Sequence, residues 1–466
     1  MTGVRADQPM SNLDALVWNV EQQPRQRTTI AALARFAAPL DPAELRHRVD
    51  HASRVVGRLR QRVVTDPSGL TAPRWSVDPD FHLSFHLRTV RLADPADAEL
   101  MDLVRGLLVQ PFDRSRPLWE FTHVTGLAEA LLLKTHHAVT DGVGGVELML
   151  ELFGLEPQPV APSRPLPEAP VAPAASVIST AGRDAAGHET AVEAIRGLAT
   201  VIDHVTRSRS VDDCASAGRR AGEAIGSVVR MLRPSHAPPV VAPARSGRLD
   251  IRFFSVPVDA LRQAGRRHDG TINDAFVAAV ALGLADQVGT EHRSRLRLSV
   301  PISTRPSSGD GDTGGGSNHW APSLIEIDLR DAADLPTLMR RVRCEMRRVR
   351  RDPAHRLLPA LTAGLRRLPP TAGAAVLDRV TTGIDVAVSN VPGSPVRLHL
   401  GPQPVDALIP FGPLSGCAVN VTLLSHADTA HIGVSSDPAV IDDPGELLRN
   451  LEAGFAVVTA VCRDDR

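Results

Sequence analysis

Leu131-Leu-Leu-Lys134-Thr135-His136-His137-Ala-Val-Thr-Asp141-Gly142 is the stretch on which the reading of this 466-residue chain turns. An apolar run ends in two histidines, and an aspartate and a glycine complete the pattern within seven positions. An unperturbed imidazole titrates near pH ~6.5, so it takes a proton from an alcohol, thiol or amine at neutral pH and passes it on. The apolar run predicts a short strand from Ala130 to Thr135, and the spacing of Val146 to Phe153 predicts a short helix opened by Gly144 and Gly145. A strand end feeding a helix start exposes polar side chains and backbone donors without breaking a ladder, which suits an acyl-transfer site.

Other readings of the same residues stand beside a general base. A histidine and an aspartate four apart chelate zinc on a helix, although no further acidic or histidine cluster lies nearby in sequence. Two histidines also serve as a hydrogen-bonded pair inside a fold. A serine hydrolase would need a Gly-x-Ser-x-Gly elbow, and the chain has none. In the functional reading, His137 at the strand end deprotonates an acceptor while that acceptor attacks a thioester carbonyl. Asp141 holds the turn and the histidine ring through hydrogen bonds, and Gly142 permits a backbone conformation that a side chain resists.

Outward from this turn, the elements mix. Asp41 to Arg62 predicts an amphipathic helix, Phe81 to Val90 a half-buried strand, and Asp97 to Leu108 a second helix. Residues 157 to 174 carry too many prolines to form helix or strand and read as a linker. Helical spacing follows at Ala191 to Val205 and Ala215 to Leu232, and Pro234 to Pro243 breaks regular structure again. In the second half, strands are predicted at Arg248 to Val256, Leu296 to Ile302, Ser323 to Leu329, Ile384 to Ser389, Val419 to Leu424 and His431 to Ser435. Helices are predicted at Pro257 to Arg267, Ala275 to Gln287 behind a cap at Thr271 to Asp274, Leu335 to Arg350 and Pro444 to Cys462. Gly309 to Gly316 is a loose glycine-rich loop that lacks the lysine of a phosphate cradle.

Length sets two domains as the expectation, because a single core stops growing well below this size. The boundaries fall at 1–155, carrying the histidine motif, 156–245 as linker and helical crossover, and 246–466. Hydrophobic residues at 43%, charged residues at 23% and a net charge of -1 describe an ordinary soluble protein with no field to recruit nucleic acid. Lys134 is the only lysine and tyrosine is absent, which reads as genomic base composition. With aromatic residues at 3%, a ligand cavity is expected to be aliphatic. The four cysteines, Cys214, Cys344, Cys417 and Cys462, lack metal or redox spacing and read as free buried thiols in a reducing cytoplasm. The first residues lack the apolar core expected of a signal peptide, and the longest apolar stretch, near Ala275 to Ala285, is too short to span a bilayer, so lipid contact is expected to be peripheral.

Six ordered segments then converge on one family. They are Met10-Ser-Asn-Leu-Asp14-Ala, Pro111-Phe-Asp-Arg-Ser-Arg-Pro117-Leu118-Trp119-Glu120, His136-His137-Ala-Val-Thr-Asp141-Gly142, Ile272-Asn273-Asp274, Val300-Pro-Ile-Ser-Thr-Arg305 and Ser389-Asn390-Val-Pro-Gly-Ser394. With these, the chain resembles the bacterial wax ester synthase/acyl-CoA:diacylglycerol acyltransferases, relatives of chloramphenicol acetyltransferase and of peptide-synthetase condensation domains. The resemblance implies two chloramphenicol-acetyltransferase-like α/β domains, each a mixed sheet flanked by helices and joined by a helical crossover. It implies His137 as catalytic base, His136 as its neighbour, and Asp141 and Gly142 as the structural end of the motif. It implies a substrate tunnel at the interface of the two domains, substrate-region roles for Pro117, Leu118 and Trp119, and a place near that tunnel for Asn273 and Asp274. From the residues alone, Trp119 reads as core and Asn273 as a helix cap.

The implied substrates are acyl-CoA and a hydroxyl acceptor, with no cofactor, no metal and no nucleic acid. The implied location is cytoplasmic, with peripheral contact at the inner membrane face or lipid droplets. The chain departs from the family pattern at Asn12, where proline is usual, in the glycine-rich stretch before Asn318 and in the length of the linker. A different acceptor or a carrier-bound donor on the same fold, or a catalytically silent lipid binder, are the alternatives.

Overall fold

The computed structural model describes residues 8–21, 27–65, 73–93, 97–126, 128–157, 246–288, 295–303, 320–352, 362 and 384–460. The proline-rich linker beyond residue 157, both crossover helices, the 309–316 loop, Arg305, Cys214 and Cys462 lie outside the described residues.

The first half runs β1 (Gln8–Pro9), α1 (Asn12–Val20), β2 (Thr29–Phe36), α2 (Pro42–Val55), β3 (Gln61–Val64), β4 (Arg74–Val77), α3 (Leu83–His86) and β5 (Leu87–Leu92). It continues with α4 (Asp97–Leu108), β6 (Trp119–Gly126), β7 (Glu129–His136) and α5 (Gly142–Leu152). The second half runs β8 (Asp250–Pro257), α6 (Val258–Arg267), α7 (Ile272–Val288), β9 (Arg295–Ser303), β10 (Trp320–Asp328) and α8 (Leu335–Arg350). After it come β11 (Val386–Val391), β12 (His399–Leu400), β13 (Gln403–Pro404), β14 (Ala407–Phe411), β15 (Val419–His426), β16 (Thr429–Ser436) and α9 (Pro444–Ala460).

Two mixed sheets organise these elements. One has the order β14-β2-β7-β6-β5, the other β10-β9-β11-β15-β16-β8. In the first, β7 is central and buried on both faces: Leu131 and Leu133 join one core cluster, Ala130 and Leu132 another. Such a strand reads as a continuous apolar run rather than an alternation. In the second, α7 is the core helix. Every residue from Ala275 to Ala281 is fully buried, so the helix is apolar all round instead of amphipathic.

The sheets are not divided where the sequence divides. Strand β14 belongs to the chain's second half yet pairs antiparallel with β2, from Ala407 opposite Arg35 to Phe411 opposite Ala31. It covers an edge that β2 would otherwise present to solvent. The unit 246–466 is therefore not self-contained.

Local differences have local causes. The helix expected to Arg62 stops at Val55, where adjacent β-branched residues and Gly57 disfavour continuation, and residues 61–64 extend instead as β3. Within Phe81 to Val90 the strand begins only at Leu87. One helical turn, α3, precedes it and places the His86 ring flat on Trp119, 4.5 Å between centroids. Helix α5 opens at Gly142, ahead of the Gly144 and Gly145 expected to open it, because Asp141 is its N-cap. Cys417 is buried as expected, whereas Cys344 is exposed on α8. No described helix is long and apolar enough to cross a membrane.

Candidate active site

The end of β7 is clamped from both sides. The His136 amide donates to the Leu118 carbonyl oxygen at 3.0 Å, and the His137 amide donates to the Thr28 carbonyl oxygen at 2.9 Å. Successive side chains on a strand point to opposite faces, so the clamp sends the two imidazoles to different places.

His136 goes inside and is fully buried. Its Nδ1 accepts the Ala138 amide at 2.9 Å, so in the neutral ring the proton sits on Nε2. That nitrogen faces the Thr28 hydroxyl at 3.1 Å and the Glu21 carboxylate. Burial pushes the Glu21 carboxyl up, but the hydrogen bond from His136, the Thr28 amide and the Arg114 guanidinium outweigh it and hold the group below its ordinary value. Arg114 in turn lies 3.9 Å over the Trp18 ring. Two residues before His136, the Nζ of Lys134 donates to Gln110 O at 2.9 Å and Glu120 Oε2 at 3.0 Å, 4.4 Å over Phe112. Burial pushes the Lys134 ammonium down against the pull of Glu120.

This network explains why separate sequence segments accompany the histidines. Helix α1 supplies Trp18 and leads into Glu21, and the 111–120 segment supplies Phe112, Arg114, the Leu118 carbonyl and Glu120. Trp18, Glu21, Phe112 and the Leu118 carbonyl meet the buried neighbour of the proposed base directly, Arg114 acts through Glu21 and Trp18, and Glu120 holds Lys134.

His137 goes the other way and remains half-buried. Its ring meets Trp320, at the start of β10, with centroids 5.5 Å apart and planes inclined by 49°. Asp141 then turns the chain: its carboxylate accepts the Gly144 amide at 2.9 Å and closes the first turn of α5. Gly142 is helical and does not have a positive φ, so conformational freedom is not its reason. A Cβ there would come within 2.9 Å of Val391 Cγ2, so the glycine lets α5 approach β11 of the other half. Trp320 and Val391 both pack against the first-half core although they belong to second-half strands.

The expected substrate-binding residues divide differently. Pro117, Leu118 and Trp119 are buried. Trp119 Nε1 is spent on the Leu59 carbonyl oxygen at 2.7 Å, and its face is covered by His86, whose imidazole burial pushes down to about 4. This element therefore supports the histidine strand through the Leu118 carbonyl rather than by offering a surface. Asp274 caps α7, accepting from the Thr271 amide at 2.7 Å and the Thr271 hydroxyl at 2.9 Å, with Asn273 half-buried beside it. The residues that meet the histidine turn, Trp320 and Val391, were not singled out as site residues, and neither was Glu21. Nor is the surrounding wholly aliphatic, since an indole faces His137.

Glu21→Gln is expected to lower stability at neutral pH by about 1–3 kcal/mol, the cost of weakening a buried charged hydrogen bond. Because the folded carboxyl is held below its ordinary value of 4.5, the wild-type advantage is present above that value and drains away as pH falls through the lower folded one. Urea unfolding of both proteins at neutral and at acid pH checks it. A gap that stays constant with pH would show that the carboxylate charge is not what holds the ring.

Comparisons with known proteins point to one family. The wax ester synthase/diacylglycerol acyltransferase catalytic domain matches residues 10–276, and the C-terminal domain of the same family matches residues 317–458. A protein of Mycobacterium tuberculosis strain H37Rv that carries the name putative diacylglycerol O-acyltransferase is 32% identical over 485 residues, covering 98% of this chain and 93% of its own. A second from that strain, tgs1, is 29% identical over 477 residues, covering 97% and 96%. Among solved structures, the wax ester synthase/diacylglycerol acyltransferase from Marinobacter aquaeolei VT8 superposes with a TM-score of 0.64 at 19% identity, covering 97% of this chain and 99% of that one. The first condensation domain of the calcium-dependent antibiotic synthetase gives 0.64 at 15% identity, covering 98% and 97%, so the fold is the one these two groups share. By the extent of the family match and the identity to its relatives, this chain belongs to the wax ester synthase/diacylglycerol acyltransferase family.

Proposed function

We propose that this protein is an acyl-CoA-dependent O-acyltransferase. It moves a fatty acyl group to an alcohol, giving triacylglycerol from diacylglycerol, wax ester from a long-chain alcohol, or both. The observation that carries the reading is the division of labour at the end of β7: His136 is locked inside, and His137 is left half-buried where the two halves meet. The base deprotonates the hydroxyl, the oxygen attacks the thioester carbonyl, and the CoA thiolate leaves with the proton returned by the same imidazole. No acyl-enzyme and no cofactor enter this scheme, because acyl-CoA is itself the substrate. Asp141 and Gly142 serve by fixing the turn and admitting Val391. Asp274 acts at a distance, by closing the start of the core helix on Thr271, with Asn273 beside it. Both lipid substrates are met at a surface, so the proposal includes peripheral contact with the inner membrane face or lipid droplets.

CoA release from palmitoyl-CoA is the test, with dipalmitoylglycerol, hexadecanol and a long-chain primary amine as acceptors. Turnover is expected with one or both hydroxyl acceptors. Turnover with the amine alone would replace ester formation by amide formation on the same fold.

A further inference from the structure

We infer that Trp320 contacts the substrate, its indole N–H donating a hydrogen bond to the thioester carbonyl oxygen as that oxygen takes up charge. The inference rests on the acyl-transfer reading and adds a residue from the second half of the chain to the reacting centre.

Three tryptophans make the comparison. Trp119 Nε1 donates to a backbone carbonyl and is satisfied. The Nε1 of Trp75 and of Trp320 are both buried with no hydrogen-bond partner among the described residues. Trp75 is fully buried, with the Arg58 guanidinium 4.3 Å above its ring, so no ligand can reach it. Trp320 is only partly buried and lies at the seam against the His137 ring. A buried donor without an acceptor carries an uncompensated desolvation cost, which is tolerated where a ligand supplies the acceptor.

The placement is specific to the tertiary fold. Trp320, at the start of the edge strand β10, pairs through its backbone with Ser303 at the end of β9, yet its side chain packs against the core cluster of the first half, as Val391 does.

The chemistry suits an indole. Its N–H donates only, and it does not ionise at the pH at which imidazole works, so it cannot compete for the proton that His137 takes. During attack the alcohol O–H bond breaks and its proton goes to His137. The new C–O bond forms, and the carbonyl π pair moves onto oxygen, where the indole N–H meets it. Collapse restores the carbonyl, breaks the C–S bond, and the thiolate recovers the proton from the imidazolium. A donor that gains strength only as the oxyanion forms raises turnover more than ground-state binding.

The test uses the full-length protein with palmitoyl-CoA and the acceptor the wild type prefers. Trp320→Phe keeps a ring against His137 and removes the donor, so kcat is expected to fall ~10²-fold with KM changed by less than about threefold. Trp320→Tyr, whose hydroxyl can donate, is expected to recover part of the loss. Binding of S-hexadecyl-CoA, a thioether without a carbonyl, is expected to be the same in all three and checks that the site is folded. A Phe variant at wild-type kcat, or Phe and Tyr variants equally slow, would overturn the hydrogen bond while leaving acyl transfer standing. A wild-type protein that releases no CoA with any acceptor would overturn both, since the donor would then have no oxyanion to serve.

Discussion

Replacing His137 by alanine is expected to cut turnover by ~10²–10⁴-fold while leaving the fold intact, the ordinary cost of losing a positioned general base. The physical reason for expecting both halves of that result is where the side chain sits. The backbone bond of residue 137 to the Thr28 carbonyl does not depend on the imidazole, and the ring is half-buried at the seam against Trp320. Removing it therefore takes away little packing. His136→Ala should behave in the opposite way: that ring is fully buried and holds Glu21, Thr28 and the Ala138 amide, so its loss is expected to show first as lowered stability. Mass spectrometry of neutral lipids from a host expressing each variant, with a melting curve of each purified protein, separates the two. A folded His137→Ala enzyme that still makes wild-type amounts of triacylglycerol or wax ester would remove His137 from the reaction.

The second large effect is structural. Gly433→Ala is expected to cost more than about 4 kcal/mol, a large share of the ~5–15 kcal/mol by which folded domains are stable. Gly433 lies in β16, and a Cβ there would overlap the Pro410 carbonyl oxygen of β14. The obstacle is backbone, not the movable end of a side chain. Relief requires β14 to withdraw from β16 or from its pairing with β2, and either movement disturbs the joint between the two sheets. Gly106→Ala on α4 is the control. Nothing lies within 4 Å of its Cβ, so it should leave stability unchanged or raise it by about 0.5–1 kcal/mol, because alanine suits a helix interior better. Comparable melting temperatures for the two variants would show that the strands do not need the close approach.

Gly433 also shows why part of the fold could not be read along the chain. The strand His431 to Ser435 was legible as a strand, but nothing near it in sequence announces the carbonyl that comes from residue 410. Strand β2, Thr29–Phe36, is rich in alanine, which favours helix in isolation; its flanking partners β7 and β14 override that preference. Strand β14 is short and holds a proline, a weak signal by itself, and is specified by the open edge it covers. By contrast α4, α8 and α9 stood out because their apolar residues recur at the helical interval, and β15 and β16 because their apolar runs are bounded by turns.

The site divides along the same line. The sequence by itself determined that an imidazole pair ends a buried strand, that Asp141 caps the helix after it, and that both halves of the chain mix strands with helices. These are local facts, set by residue type, by the period of two or 3.6, and by hydrogen bonds between residues a few positions apart. Only the tertiary structure decided which histidine faces inward, because a strand buried on both sides carries no polar face to mark its orientation. Only the tertiary structure, likewise, brought Glu21 to His136, Val391 to Gly142 and Trp320 to His137. Those pairs are held by sheet register and by packing between the two halves, and neither quantity is written in the neighbourhood of any one of these residues.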